Sequence, residues 1–115
     1  MSLPLDHRTR IKICGLTREA DVSDAVQAGA DAIGFVLYEK SPRHVTPARA
    51  AQLAALLPPF VTPVLLFVNA SASLLKEARD AVPNALWQFH GDEAPTDCDQ
   101  AARPYIRAAR MAPGF

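Results

Sequence analysis

Short apolar runs alternate along the chain with longer segments of helical periodicity. Most of the short runs are rich in β-branched or aromatic residues, which favours strands over helices. Some are almost continuously apolar, which is typical of parallel strands that are covered on both faces. The five predicted strands span residues 11–14, 32–37, 64–68, 85–89 and 105–108.

Four segments between these runs have helical character, and several carry recognisable end signals. Thr17, Thr46 and Ser71 are candidate N-caps, and Pro47 stands at the first helical position behind Thr46. Gly29 follows the first of these segments as a candidate C′ residue. The predicted helices span residues 18–28, 47–57, 72–82 and 95 to about 103.

Strands that alternate with helices predict a parallel sheet with right-handed crossover connections. Two α/β architectures accept five such strands. One is an open, doubly wound sheet, which is complete at about this length. The other is the first part of a (β/α)8 barrel, which needs roughly 250 residues. Periodicity does not choose between them, but both place functional groups at the carboxyl ends of the strands.

Composition and charge indicate which kinds of partner and which cellular compartment are favoured. The 115 residues are enough for one domain, and 12 basic residues balance 12 acidic ones, so a nucleic-acid partner is disfavoured. No apolar run is long enough to span a bilayer, and the first residues lack the apolar core of a secretory signal. Cys14 and Cys98 are too far apart in sequence to suggest a disulfide framework or a zinc site. A reducing cytoplasm is therefore the simplest setting.

Cys14 closes the first predicted strand, where a thiol can face a ligand above the strand ends. Its thiolate would serve as a base or a nucleophile, while the alternative is a small buried core residue. Lys12 shares the strand face of Cys14, and we expect it to form a structural ion pair with a carboxylate on a neighbouring strand. Cys98 and Trp87 are interpreted as packing residues.

Polar residues follow the other strands as well. Arg43 lies in a proline-containing βα loop, where it would grip a carboxylate or phosphate or else lie on a solvated surface. His90 ends the fourth strand, either beside a substrate or as a structural donor. Asn69 ends the third strand, above the sheet or at the start of the next helix. Asp92 and Glu93 are interpreted as structural, because acidic residues favour a helix N-terminus.

Taken together, these segments resemble the phosphoribosylanthranilate isomerase family of tryptophan biosynthesis. The matches follow the family's order and cover nearly the whole chain, with Phe89 in place of a usual leucine. The matching segments are residues 12–17 (KICGLT), 29–36 (GADAIGFV), 40–43 (KSPR), 67–69 (FVN) and 88–93 (QFHGDE).

The resemblance implies a (β/α)8 TIM barrel, of which residues 1–115 would be the N-terminal part of a single domain. It implies an Amadori rearrangement of N-(5-phosphoribosyl)anthranilate to 1-(o-carboxyphenylamino)-1-deoxyribulose 5-phosphate. Cys14 matches the family's general base, Arg43 an arginine that contacts the anthranilate side of the substrate, and His90 a histidine lining the pocket. The resemblance implies no metal and no organic cofactor.

The chain also departs from the family pattern. The family's general acid is an aspartate at the end of the sixth strand, and its phosphate-binding loops follow the seventh and eighth strands. The chain ends just after its fifth predicted strand. By itself it is therefore expected to be inactive, and to expose an apolar sheet or cover it with another chain or a C-terminal half.

A non-catalytic interpretation remains alongside the enzymatic one. The chain would then be an α/β module that binds a partner or self-associates through its open strand edge. Strand order separates the two, because 1-2-3-4-5 is that of an opened barrel and 2-1-3-4-5 that of a doubly wound fold. Redox chemistry at Cys14 is a weaker third reading, since the sequence lacks a C-x-x-C motif.

Overall fold

Five parallel strands form one sheet in the order in which they occur in the chain, within residues 8–101 and 104–108, which the computed structural model describes. The strands are β1 (Lys12–Cys14), β2 (Ala32–Val36), β3 (Thr62–Phe67), β4 (Leu86–Phe89) and β5 (Tyr105–Arg107). The order β1-β2-β3-β4-β5 is that of an opened (β/α)8 barrel and differs from the doubly wound order. The predicted fold class is therefore confirmed.

Helices connect successive strands. They are α1 (Glu19–Gln27), α2 (Pro47–Ala54), α3 (Ala72–Ala81) and α4 (Pro95–Cys98), the last continued by a 3-10 helix (Asp99–Ala101). None of the helices in the described ranges has the length and apolar character needed to cross a bilayer. Two predicted N-caps are confirmed, because the Thr46 hydroxyl accepts from the Arg49 amide at 3.1 Å and the Ser71 hydroxyl from the Leu74 amide at 3.2 Å.

The ends of α1 gave one wrong prediction and one correct one. Thr17 is not the N-cap, because α1 begins one residue later than expected and Arg18 occupies the cap position. At the other end, Gly29 has φ +99° and donates to the Val26 carbonyl at 3.0 Å. The Ala30 amide donates to the Ala25 carbonyl at 3.1 Å, which completes a Schellman motif.

The fourth helix is shorter than its predicted span. It turns into the 3-10 helix after Cys98, so the α-helical prediction for residues 99–101 is wrong. Cys98 and Ala101 are both buried, and a 3-10 helix aligns residues three apart on one side. Residue 103, the predicted end, lies outside the described residues.

The main core lies between one face of the sheet and the helices α1 to α4, with the 3-10 helix that follows α4. Alternate strand residues supply it, and the helices contribute small and branched side chains that fit between them. Aromatic rings continue this layer across β3 to β5, with centroid distances of 5.0 Å for Phe67–Trp87 and 5.6 Å for Phe89–Tyr105. Trp87 is thus a core residue, as predicted.

The opposite face of the sheet is concave and carries the remaining strand residues. The register places Cys14, Gly34 and Val64 in one row across β1 to β3, and Val36, Leu66 and Gln88 in the next row across β2 to β4. Val64 and Val36 are buried although they do not belong to the cluster that packs against the helices. The middle of this face is therefore buried at these two positions.

The large exposed apolar side chains do not lie in the middle of the sheet. In the described part of the chain, the large exposed ones are Ile11, Ile13, Leu56 and Phe60, the last 98% exposed. Ile11 and Ile13 flank Lys12 at the edge of the sheet, where β1 pairs only with β2 among the described strands. Leu56 and Phe60 lie in the connection between α2 and β3, so the exposed apolar residues divide between that connection and the open edge at β1.

An ion pair between α1 and α2 makes the stability of the protein depend on pH. Arg49 binds both carboxylate oxygens of Glu19, at 2.6 and 3.0 Å, and also donates to the Thr17 carbonyl. The hydrogen bonds from Arg49 lower the pKa of Glu19 from 4.5 to about 2. A lowered folded-state pKa stabilises the protein above the unfolded-state pKa, and that contribution is lost as the pH falls towards the folded-state value.

We expect Arg49→Met to destabilise the protein slightly near neutral pH, because the pair is exposed. The difference in unfolding free energy between the two proteins should shrink as the pH falls from about 5 to about 2. Urea titrations of both proteins across this range measure the difference. A difference that does not change with pH would contradict the assignment of the shift to Arg49.

Candidate functional site

The thiol of Cys14 faces the concave side of the sheet at the carboxyl end of β1. Cys14 is in register with Gly34, and a Cβ atom added to Gly34 would lie 2.7 Å from the Cys14 sulfur. Ile33 and Phe35, the neighbours of Gly34, point into the helical layer, so Gly34 and the sulfur lie on the other face. The absence of a side chain at Gly34 leaves the space that the sulfur occupies. Cys14 is half-buried there and not part of the main core.

Arg43 reaches the same place from the loop between β2 and α2. Its Nη1 donates to the Cys14 carbonyl at 3.4 Å, and its backbone amide donates to the Ser41 hydroxyl at 3.1 Å. The guanidinium lies against Gly15, where an added Cβ would be 2.4 Å from Nη1. Gly15 has φ +86°, and its amide donates to the Gly34 carbonyl at 2.9 Å. The structure therefore brings Arg43 and Cys14 together.

His90 lies at the carboxyl end of β4, on the same edge of the sheet as Cys14. Its amide continues the parallel ladder by donating to the Phe67 carbonyl at 2.9 Å. The residue is exposed and follows Gln88 by two positions, which puts it on the concave side. Among the described residues, no hydrogen bond joins His90 to Cys14 or Arg43. The three predicted residues thus share one edge, but only two are in direct contact.

The surroundings of Lys12 differ from the predicted ion pair. It lies on the concave face and is half-buried, as its alternation with Cys14 predicts. Its neighbours across the sheet are apolar or small, with Ala32 directly opposite, and no carboxylate of residues 8–101 or 104–108 is within ion-pair distance. The predicted ion pair with a neighbouring strand is therefore wrong for the described part of the chain.

A polar network at the ends of β3 to β5 was not predicted in this form. The Glu93 carboxylate accepts from the backbone amides of Asn69 and Gly91, at 2.7 and 2.8 Å. Arg107 reaches into the same loop and donates to the carbonyls of Phe89 and Gly91, at 3.2 and 2.6 Å. Glu93 is structural, as expected, but it joins its own loop to the loop after β3. Asp97 is the acidic residue that binds the Ala94 amide at the start of α4.

The two cysteines differ sharply in their surroundings. Cys98 is 1% exposed, which confirms the prediction that it is a packing residue. Burial raises the pKa of its thiol, with a smaller contribution in the same direction from the negative charge of Glu93. A buried thiol held in its neutral form is a poor base, so Cys14 is the cysteine of this chain suited to chemistry.

One further feature lies on the concave face, and a second lies among the loops beside α3. Gln88 is 7% exposed, and its Oε1 has no hydrogen-bond partner among the described residues. A cavity of about 360 Å³ lies between the loops that follow β2 and β3, with Tyr38, Lys40 and Ser71 among its lining residues. No group of three or more metal-binding side chains occurs in the ranges that the structure describes.

A comparison with protein-family models matches residues 11–113 to the family described as N-(5'-phosphoribosyl)anthranilate (PRA) isomerase. Among curated proteins, the chain is 67% identical over 108 residues to the N-(5'-phosphoribosyl)anthranilate isomerase of Methylibium petroleiphilum, covering 94% of the chain and 51% of that relative. It is 60% identical over 108 residues to the enzyme of the same name from Dechloromonas aromatica, covering 94% and 52%. The chain thus spans about half the length of the curated relatives it matches.

Solved structures give the same picture of the fold. A crystal structure of phosphoribosyl anthranilate isomerase from Thermotoga maritima matches with a TM-score of 0.79 and 37% identity, over 87% of this chain and 49% of that one. A structure of a phosphoribosyl anthranilate isomerase in complex with reduced 1-(o-carboxyphenylamino)-1-deoxyribulose 5-phosphate matches with a TM-score of 0.78 and 37% identity, over 87% and 52%. The five-stranded sheet therefore superimposes on about half of a complete barrel.

Proposed function

Because the chain belongs to the N-(5'-phosphoribosyl)anthranilate isomerase family, we propose that its strand ends form one part of an active site for N-(5-phosphoribosyl)anthranilate. The reaction is the Amadori rearrangement of that compound in tryptophan biosynthesis. One observation carries the proposal: the Arg43 guanidinium lies over Gly15 and donates to the backbone carbonyl of Cys14, at the carboxyl end of the strand that carries the thiol. A base and a cation at the same strand end suit an anionic substrate that must lose a proton.

Cys14 is proposed as the general base. Once the sugar ring has opened to a Schiff base, the thiolate takes the proton from C2, so the C2–H bond breaks and the proton moves to sulfur. The electron pair forms the C1–C2 double bond of an enolamine, and the positive charge on the imine nitrogen is neutralised. Addition of a proton to C1, with loss of the proton of the C2 hydroxyl, then gives the ketone. The half-buried position of Cys14 on the concave face supports this role.

Arg43 is proposed to bind the anthranilate carboxylate. A guanidinium offers two parallel N–H donors to a carboxylate, and such charge-assisted pairs are stronger than neutral hydrogen bonds. The backbone anchor between the Arg43 amide and Ser41, together with the close packing on Gly15, limits where the guanidinium lies. Substrate held there would have its reacting carbon near the Cys14 end of β1.

His90 is proposed to line the other side of the substrate pocket. Its exposed side chain at the carboxyl end of β4 supports this assignment. The ring-opening step needs a general acid, and the resemblance assigns that role to an aspartate on a sixth strand. We therefore propose that the chain supplies base, carboxylate-binding and pocket residues, and that the 115-residue chain is inactive without the general acid and the phosphate-binding loops.

A joined protein tests this proposal. It consists of this chain linked to the part of the Methylibium petroleiphilum relative that the chain does not match, which restores the length of that relative. We expect turnover of N-(5-phosphoribosyl)anthranilate by the joined protein and none by the 115-residue chain, because a closed barrel brings base and acid to one mouth. Initial rates of substrate consumption at equal protein concentration measure both.

Two controls accompany this assay. Circular dichroism and thermal unfolding establish that each protein is folded, so that a missing activity is not a missing structure. A folded joined protein without turnover would contradict the proposed function. Turnover by the 115-residue chain alone would contradict its predicted dependence on the second half.

A further inference from the structure

The loop that follows β4 is tied to its neighbours through one carboxylate. The side chain of Glu93 is 6% exposed, and its two oxygens accept from backbone amides of different loops. One oxygen binds the Asn69 amide after β3 at 2.7 Å, and the other binds the Gly91 amide after β4 at 2.8 Å. Burying a carboxylate is costly unless its oxygens are hydrogen-bonded, so this arrangement strongly favours one loop conformation.

Arg107 fixes the same loop from β5. Its guanidinium donates to the carbonyls of Phe89 and Gly91, which are the residues on either side of His90. Its Nη1 lies 3.9 Å from Glu93, so the two charges also compensate one another. The His90 amide is itself held by the Phe67 carbonyl. The amides of His90 and Gly91 and the carbonyls of Phe89 and Gly91 are thus hydrogen-bonded, while the side chain of His90 remains exposed.

Asn69 completes the contact between the loops after β3 and β4. It has φ +48°, and its Oδ1 accepts from the Asp92 amide at 2.9 Å. A Cβ atom added to Gly91 would lie 2.8 Å from that oxygen, so the two loops are packed as closely as glycine allows. Loops at the ends of strands are commonly mobile, whereas this one is restrained by hydrogen bonds with Asn69, Glu93 and Arg107.

We propose that Glu93 and Arg107 are positioning residues that hold the His90 imidazole in the orientation in which it meets the substrate. The inference rests on the proposed function, because it assigns a purpose to the orientation of His90. Neither Glu93 nor Arg107 needs to touch the substrate. Their hydrogen bonds go to the backbone around His90, and preorganised side chains lower the cost of reaching the reactive geometry.

A double-mutant cycle tests this inference in the joined protein. Glu93→Gln keeps the shape of the side chain but replaces one accepting oxygen with an NH2 group, which faces an amide donor. We expect kcat/KM to fall about 10- to 100-fold, because a slightly misplaced pocket residue no longer holds the substrate in the productive geometry. In a His90→Ala background the same change should have little further effect, because its consequence passes through His90. A fall by the same factor in both backgrounds would overturn the inference.

The chain itself gives a readout that is independent of activity. Glu93→Gln should speed hydrogen exchange at the Gly91 and Asn69 amides, while the exposed neighbour variant Asp92→Asn should leave exchange and turnover unchanged. If Glu93→Gln does not fold, Arg107→Lys keeps the positive charge but loses the paired donors, and the same cycle with His90→Ala applies. Unaltered exchange in the folded variants would overturn the inference. Unchanged turnover in His90→Ala, with faster exchange in Glu93→Gln, would instead contradict the proposed role of His90.

Discussion

Replacing Cys14 with serine in the joined protein is expected to lower kcat about 100- to 10,000-fold, the range that a positioned general base contributes. A serine hydroxyl is a much weaker acid than a thiol, so almost none of it is present as the basic anion. The serine oxygen is smaller than the cysteine sulfur, so it fits the space above Gly34 where the sulfur of Cys14 packs closely. The loss should therefore occur without a loss of folding, and initial rates with thermal unfolding of the same samples measure both.

Cys98→Ala is the matched control for this change. It removes the other cysteine, which is buried in the core and belongs to no part of the proposed site. We expect a modest decrease in unfolding temperature and near-normal turnover, because only packing is lost. If Cys14→Ser retained near-normal turnover, the general base would have to be another group, and the assignment of Cys14 would fall.

The second large effect is expected from Gly15→Ala. The new methyl group would overlap the Arg43 guanidinium, 2.4 Å from Nη1 in the present arrangement, so the guanidinium must leave its position beside Cys14. Displacement of a substrate-binding group by about 1 Å can cost roughly 100-fold in rate, and we expect a loss of that order in kcat/KM. The φ of +86° adds backbone strain of about 1–2 kcal/mol for a residue with a Cβ atom.

Gly29→Ala separates these two contributions. Gly29 also has a positive φ, +99°, but a Cβ atom added there meets nothing within 4 Å. Both variants should lose a similar amount of stability in urea titrations, whereas only Gly15→Ala should lose turnover. Equal turnover in the two variants would mean that the position of Arg43 over Gly15 is unimportant for the reaction.

Local signals in the sequence were sufficient to predict most of the fold. Thr46 and Ser71 each precede a helix with a hydroxyl that binds the third amide, and Gly29 ends α1 in the left-handed conformation that it favours. Each of these effects depends on residues that are close in the chain, so it can be read without tertiary structure. Thr17 failed as a cap because α1 begins one residue later, which carries its hydroxyl beyond the amides that a cap must reach.

The candidate site was predictable only in part, because several of its contacts join residues that are far apart in the sequence. Cys14 and Arg43 stand at a strand end and in a βα loop, which a parallel sheet brings to one edge. The contacts of Glu93 with Asn69 and Arg107 join the ends of three strands, and no spacing in the sequence indicates them. The wrong prediction for Lys12, which has no carboxylate partner among the described residues, has a related cause. Alternation predicts the face on which a residue lies and not what lies opposite it.

The strand order has a consequence for how the protein is made. Each strand pairs with the one that precedes it in the chain: Lys12 lies opposite Ala32, and Trp87 lies opposite Tyr105. A newly synthesised strand therefore finds its partner already outside the ribosome, and no described strand has to wait for a distant segment before it can pair. The sheet can grow by one unit at a time during translation, in the direction of synthesis.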